Sequence, residues 1–224
     1  MTTERRRPGR PHRDRPLLTR PAILAAALEL VDEAGIGALS MRRLAGRLDV
    51  DPMSIYHHLP NKAAIVSGLV GTVYSTMAPV PVDGPWAERV RAWARAYRDL
   101  ALAHPNLVLQ IVTDSVAASD AAVLISEPLY AAFDAAGLAP PDVVNAAGAL
   151  VDFVNGYALA GAAAPVEGDP MGERLDALPP DRIPTMRRVH AAVAREPAER
   201  DFFSSGVEII IRGATALAAG ATGR

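Results

Sequence analysis

Apolar positions recur at three- and four-residue intervals along nearly the whole chain. No stretch sustains two-residue alternation, so the pattern predicts helices and no sheet. The first periodic stretch places Ile23, Leu24, Ala27, Leu28, Leu30 and Val31 on one face. Thr19 precedes it as a cap, Pro21 suits its first turn, and Gly35 is expected to end it in the left-handed region. Ser40 caps a short second helix, Met41–Leu48, whose buried stripe would be Met41, Leu44, Ala45 and Leu48. Asp49 and Val50 form a tight turn, and Pro52 opens a third, very short helix to about His58. Leu59 and Pro60 interrupt the chain, because the residue before a proline disfavours helix. Asn61 then caps a fourth helix from Lys62 to about Met77.

Residues 78–85 hold three prolines and a glycine, and a boundary is expected there. Beyond it the period predicts helices over 86–103, 105–117, 120–136 and 141–164. A Pro-, Gly- and charge-rich stretch from Pro165 to Pro184 reads as a mobile loop. Two further helices are expected over 185–195 and 198–219. The expected architecture is all-α, in three parts. A flexible arm (1–18) precedes a three-helix helix-turn-helix head (19–77), which is joined to a larger helical bundle (78–224).

Composition sharpens this picture in three ways. Half of the 224 residues are hydrophobic, enough to bury a sizeable core. The chain has no cysteine, which excludes disulfide scaffolds, thiolate metal sites and cysteine nucleophiles. The net charge of −2 hides an asymmetry: residues 1–62 carry 11 Lys and Arg against 7 Asp and Glu, while the remainder carries 12 against 18. Six of those basic residues are arginines within residues 1–18. That cluster is either an accessory DNA-binding arm, adding salt-sensitive affinity without reading sequence, or a solvated tail. Ile23–Val31 follows an arginine-rich lead and lacks a cleavage site, so it is a poor secretory signal. Asn145–Val166 is the segment worth testing as a membrane span. Its central Asp152 would cost roughly 2.5–3.5 kcal/mol there, and a buried helix of a cytoplasmic protein is the better expectation.

The informative segment is Ser40–Lys62, S-M-R-R-L-A-G-R-L-D-V-D-P-M-S-I-Y-H-H-L-P-N-K. Two short helices joined by a tight turn make a helix-turn-helix, whose second helix can enter a major groove. Leu44, Ala45, Leu48, Val50 and Ile55 would lock the helices together, leaving Arg42, Met53, Ser54, Tyr56, His57 and His58 outward. Arg42 suits a guanine edge, and Tyr56 and Lys62 suit phosphates. His57 and His58 point roughly 100° apart on a helix, so they fit separate polar contacts better than one metal.

From about Leu18 to Met77 the chain resembles the DNA-binding domain of the Tet repressor (TetR) family. The residues that carry the likeness are A-A-L-E-L-V-D-E-A-G, L-S-M-R-R-L-A and I-Y-H-H-L-P-N-K-A-A-I. A weaker likeness to the family's ligand-binding and dimerisation domain runs through W-A-E-R-V-R-A-W-A-R-A-Y-R, A-H-P-N-L, A-A-F-D-A-A-G-L, V-D-F-V-N-G-Y-A-L and G-V-E-I-I-I-R-G. The resemblance assigns base contacts to Arg42, Pro52, Met53 and Ser54, and backbone contacts to Tyr56, His57, His58 and Lys62. It implies a homodimer through the helices near 141–164 and 198–219, bound to a near-palindromic double-stranded DNA operator.

Two positions depart from the family pattern. Asp49 stands where the turn usually has glycine, and aspartate tolerates the left-handed region at modest cost. Gln110 stands where tetracycline-binding members place a magnesium-holding histidine, and glutamine is a poor Mg²⁺ anchor, so no metal and no cofactor is expected.

A ligand pocket in the body would draw on Tyr97, Gln110, Tyr130, Phe133, Asp152, Phe153 and Asn155. Asp152 and Asn155 are polar residues in an apolar helix. They are expected either to hydrogen-bond across a subunit interface or to face a ligand. The functional expectation is a repressor released from its operator by a small molecule. The alternatives are a ligand-independent DNA-binding protein and a small helical enzyme, for which no catalytic constellation is evident.

Overall fold

The computed structural model describes residues 17–108, 119–161, 170–195 and 201–221. Among them there is no strand; the elements are helices throughout. Two compact units divide the chain between Leu69 and Val70, inside the fourth helix and ahead of the proline-rich segment at 78–85.

The head begins with α1 (Arg20–Ala34), α2 (Met41–Leu48) and α3 (Pro52–Tyr56), followed by α4 (Lys62–Tyr74). Each start has its cap. Thr19 Oγ1 accepts from Ala22 N at 3.3 Å, Ser40 Oγ from Arg43 N at 3.2 Å, Asp51 Oδ1 from Met53 N at 2.8 Å, and Asn61 Oδ1 from Ala64 N at 2.8 Å. These bonds satisfy N–H groups that the first turn of a helix leaves open. Asp49 closes α2 in the left-handed region, φ 52° and ψ 45°.

Gly35 has positive φ but an extended ψ, 73° and 170°, so it is not the left-handed cap expected. It leads into a 3-10 turn, Ile36–Ala38, that the period of three and four was too coarse to mark. Helix α3 also stops short of His58, because His57 serves as its C-cap. Helix α4 ends at Tyr74 rather than Met77; there Ser75 Oγ donates to Thr72 O and Thr76 Oγ1 to Val73 O, at 2.6 and 2.7 Å. Such hydroxyl back-bonding competes with helix continuation.

The body is built around α5 (Trp86–Ala103), which packs against α6 (Ser119–Ala135), α7 (Pro140–Gly161) and α10 (Phe202–Ala221). Residues 105–108 start the helix expected over 105–117; its remainder lies outside the described residues, as do residues 1–16 of the arm, 162–164 and 198–200. The expected loop from Pro165 to Pro184 is corrected in part. It contains α8 (Pro170–Ala177) and a 3-10 turn, Pro180–Arg182, before α9 (Pro184–Arg195). Proline at the first position of a helix is harmless, since that N–H is unbonded anyway, and Pro170 and Pro184 both open helices. Arg187 of α9 donates to the carbonyls of Leu175, Asp176 and Leu178, which are free acceptors at and beyond the end of α8.

Two contacts fix α10 on the body. Gly206 lies against the Phe153 ring so closely that an added Cβ would come 2.6 Å from Cε2 and nearer still to Cζ. That ring is itself stacked on Phe203 at 5.7 Å. Arg91 of α5 holds Glu208 with two hydrogen bonds, the Nη2–Oε2 one at 2.9 Å, and also Glu88 at 2.8 Å.

Gly206→Ala is therefore expected to cost about 1–3 kcal/mol of stability by overpacking, read from urea denaturation of the full chain. The Arg91 guanidinium also holds the Glu208 carboxyl below its ordinary pKa. A group depressed in the folded state contributes stability above its unfolded pKa and loses it as pH falls through the folded one. Glu208→Gln should thus cost at most ~1 kcal/mol of stability at neutral pH for a partly exposed pair, read as a lower melting temperature. The gap should close as acid protonates the wild-type carboxyl.

Candidate nucleic-acid interface

Helices of eight and five residues are too short to stand alone in water. Their positions come from burial: Leu44, Ala45, Ile55 and Leu59 are at most 2% exposed, beside the equally buried Ile23, Ala27 and Val31 of α1. Met41, Leu48 and Val50 are only half-buried, so the stripe expected along α2 is narrower than the period suggested. Arg47 fixes α2 on α1. Its guanidinium grips Glu33 through two bonds of 2.7 and 2.6 Å and reaches Glu29 at 3.1 Å. That fork raises the Arg47 pKa and lowers that of Glu33, chiefly through the hydrogen bonds themselves.

With one side committed to the core, the opposite side is set. Arg42, Met53, Tyr56, His57 and His58 are exposed, Met53 at 62% and Tyr56 at 42%. Pro52 and Ser54 are half-buried in the first turn of α3. Asp51 turns its carboxylate onto the Met53 N–H, which keeps an acidic group at the start of α3. Lys62 is not the free ammonium expected of a phosphate ligand: its Nζ donates to the Ile36 carbonyl at 2.9 Å. The charge survives, since the acceptor is neutral, and the bond holds the side chain in place. This contact was not readable beforehand, because it depends on the unforeseen 3-10 turn.

The residues expected to form a ligand pocket do not converge. Tyr97 is buried and donates to Asn155 Oδ1 at 2.9 Å, with Trp93 4.9 Å and Tyr74 6.3 Å away between ring centres. Burial raises the pKa of both tyrosines, so neither ionises near neutrality. Asn155 thus has a partner within its own chain, which neither expected alternative foresaw. Asp152 is exposed, not buried. Phe133 is a core residue against Trp86, 6.2 Å between rings. Half-buried Phe153 belongs to a cluster with Tyr157 and Phe203, over which Arg98 sits at 4.7 Å. Tyr130 lines an open cleft of about 400 Å³, with Ala122, Val123, Ser126 and Glu127. Gln110 lies outside the described residues. Sequence reasoning also passed over Arg89, a cation only 9% exposed; the signal available was its place midway between Trp86 and Trp93 on one helical face.

Comparison with known proteins bears on both units. Residues 23–69 match the model for "Bacterial regulatory proteins, tetR family", and residues 78–218 match the "Tetracyclin repressor-like, C-terminal domain". An HTH-type transcriptional regulator of Saccharopolyspora erythraea is 34% identical over 151 residues, spanning 67% of this chain and 64% of its own length. Apo ActR from Streptomyces coelicolor superposes with a TM-score of 0.75 at 32% identity, covering 91% of this chain and 98% of that one. A structure of ActR in complex with (S)-DNPA gives 0.72 at 31% identity, with 91% and 100% covered. BioQ with its natural double-stranded DNA operator gives 0.65 at 25% identity, with 89% and 99% covered. The two matched models together span most of the chain, and it belongs to the TetR family of bacterial regulatory proteins.

Proposed function

We propose that this chain is a homodimeric DNA-binding transcriptional repressor that a small molecule releases from its operator. The observation that carries the reading is the exposed set on α2 and α3, held outward by a buried seam. The family is one of regulators, not enzymes, and BioQ has been solved on its operator. Arg42, Pro52, Met53 and Ser54 read base edges; Tyr56, His57, His58 and Lys62 contact the backbone. Phosphate contacts fix register, and base contacts supply specificity. The segment 1–18 is an accessory arm, 19–77 the DNA-binding domain, and 78–224 the ligand-binding and dimerisation domain.

Helices α7 and α10 are the dimer surface in this reading. Both are long and apolar enough to cross a membrane by length and composition alone, yet only 33% and 22% of their apolar stretches are buried within one chain. Val144 on α7 and Ile209 and Leu217 on α10 stand 54%, 72% and 49% exposed. A second copy covering them favours a cytoplasmic dimer over a membrane anchor. The cavity beside Tyr130 has the size of a small-molecule site, which favours the ligand-responsive reading over a ligand-independent one, and ActR has been solved with (S)-DNPA. Helix α4 belongs to both units and would transmit the effect of the ligand. A coupling of about 1–3 kcal/mol, or 5–150-fold in DNA affinity, makes a useful switch.

Fluorescence anisotropy on DNA from the chain's own promoter region tests the interface. Arg42→Ala should weaken binding by about 1–3 kcal/mol and relax sequence preference. Lys62→Met should weaken all sequences alike and reduce the salt slope by about one. Binding indifferent to Arg42→Ala and to Tyr56→Phe would remove the contact assignment.

A further inference from the structure

The outward side of α3 offers a base edge an uncommon combination of groups. Ile55 is fully buried in the seam. Met53, Tyr56 and His57, spaced three and four residues apart, share the opposite, exposed side of the helix. Among the large apolar side chains of α2 and α3, Met53 and Tyr56 are the exposed ones, and the Tyr56 hydroxyl suits a phosphate. A lone surface methionine is ordinary. This one stands in the first turn of the second helix of a helix-turn-helix, whose N-terminal residues meet base edges.

Elimination says which base this face can read. In the major groove adenine is read by the paired donor and acceptor of Asn or Gln, cytosine by a carboxylate, and guanine by Arg or Lys. Thymine is read by apolar contact with its methyl group. Asn61 is the only Asn or Gln in residues 1–77, and its carboxamide oxygen caps α4. Asp51 is turned back onto the Met53 N–H at 2.8 Å, and Glu29 and Glu33 are held by Arg47. Arg42 is exposed and suits guanine. What is left for an A·T pair is the thymine methyl. The Met53 thioether, unbranched and polarisable, is the side chain that fits against it.

We propose that Met53 reads the 5-methyl group of a thymine in each operator half-site. The inference rests on the DNA-binding reading above and adds the base chemistry that α3 recognises. The Asp51 cap fixes the first turn from which Met53 projects, so the methionine is presented by a set backbone. Burying one methyl group changes affinity about fourfold, and two half-sites of a dimer make that about fifteenfold. A cytosine in the same place would set its amino group against the thioether without an acceptor, which penalises the wrong base as well. Recognition is then divided between two side chains. Arg42 selects guanine by donated hydrogen bonds, and Met53 selects thymine by apolar contact.

The probe is an operator selected from random duplex DNA by the full chain, then resynthesised with deoxyuridine replacing thymidine at one position of each half-site in turn. Uracil keeps every hydrogen-bonding group of thymine and lacks only the methyl. In fluorescence anisotropy the wild type should lose about fourfold when the critical thymine is changed in one half-site and about fifteenfold when it is changed in both. Met53→Ala should bind the thymine operator about as weakly as wild type binds the doubly changed one, and lose nothing further on uracil. It should melt with wild type, since the Met53 side chain lies mostly in solvent. Met53→Leu, which keeps an apolar tip, should retain the uracil penalty. A Met53→Ala chain that still pays the full penalty on uracil, or a selected half-site without thymine, overturns the assignment. Equal wild-type binding of thymine and uracil operators overturns the methyl reading while DNA recognition stands. If selection enriches no sequence, the DNA-binding reading itself falls, and the inference falls with it.

Discussion

Everything the head offers to a partner depends on the burial of Leu44, Ala45, Ile55 and Leu59 beside α1. Helix α3 has five residues, fewer than two turns, and would not persist alone. Its orientation is therefore a property of the seam and not of its own sequence propensity. Ala45 matters by being small, since a larger side chain at 2% exposure would push α2 away from α1. The Arg47 fork across Glu29 and Glu33 then sets the angle of α2 from outside the core. As an exposed pair it adds little free energy; its contribution is geometric. The two carboxylates also take one cation out of the field that the head presents, which leaves Arg20, Arg42, Arg43 and Lys62 as the other cations among its described residues.

The body follows a different logic. Helix α5 is its hub, and its faces are assigned by chemistry. Arg91 and Arg98 meet α10 through Glu208 and Phe203, Tyr97 meets α7 through Asn155, and Trp93 meets α6 through a carbonyl. The Tyr97 and Trp93 hydrogen bonds satisfy polar atoms that burial would otherwise penalise. On the same helix the Nε of Arg89 is buried without a hydrogen-bond partner.

Legibility in the sequence tracked how local the determining interaction is. The caps Thr19, Ser40 and Asn61 act within three residues of themselves, so helix starts in the head were read to the residue. Asp49 was expected in the left-handed turn and adopts it. Helix ends were read less well: α3 and α4 terminate through backbone and hydroxyl hydrogen bonds that periodicity does not encode. Helix α8 went unread because prolines and charges look like loop, although proline at the first position is compatible with a helix. The candidate pocket was the least legible part. Aromatic and polar residues were grouped by type, yet Phe133, Phe153 and Tyr97 engage different neighbours, and the bond from Tyr97 to Asn155 joins residues 58 positions apart. Nothing local in the sequence announces such a pair.

Charge shows why a whole-chain average is a poor guide to partners. At −2 overall, the protein should be repelled by a polyanion at long range. Screening limits that repulsion to roughly 8 Å at physiological ionic strength, so what governs encounter is the charge within that distance of the interface. There residues 17–62 carry five basic groups against five acidic ones, but Glu29 and Glu33 are held by Arg47 and Asp51 caps α3, while Arg42 and Lys62 stay exposed. The acidic excess of residues 63–224 is spread along the remaining chain, where Glu88 and Glu208 are tied to Arg91. Salt should therefore weaken DNA association steeply even though the molecule is acidic, because the counterions released are those displaced at the contact.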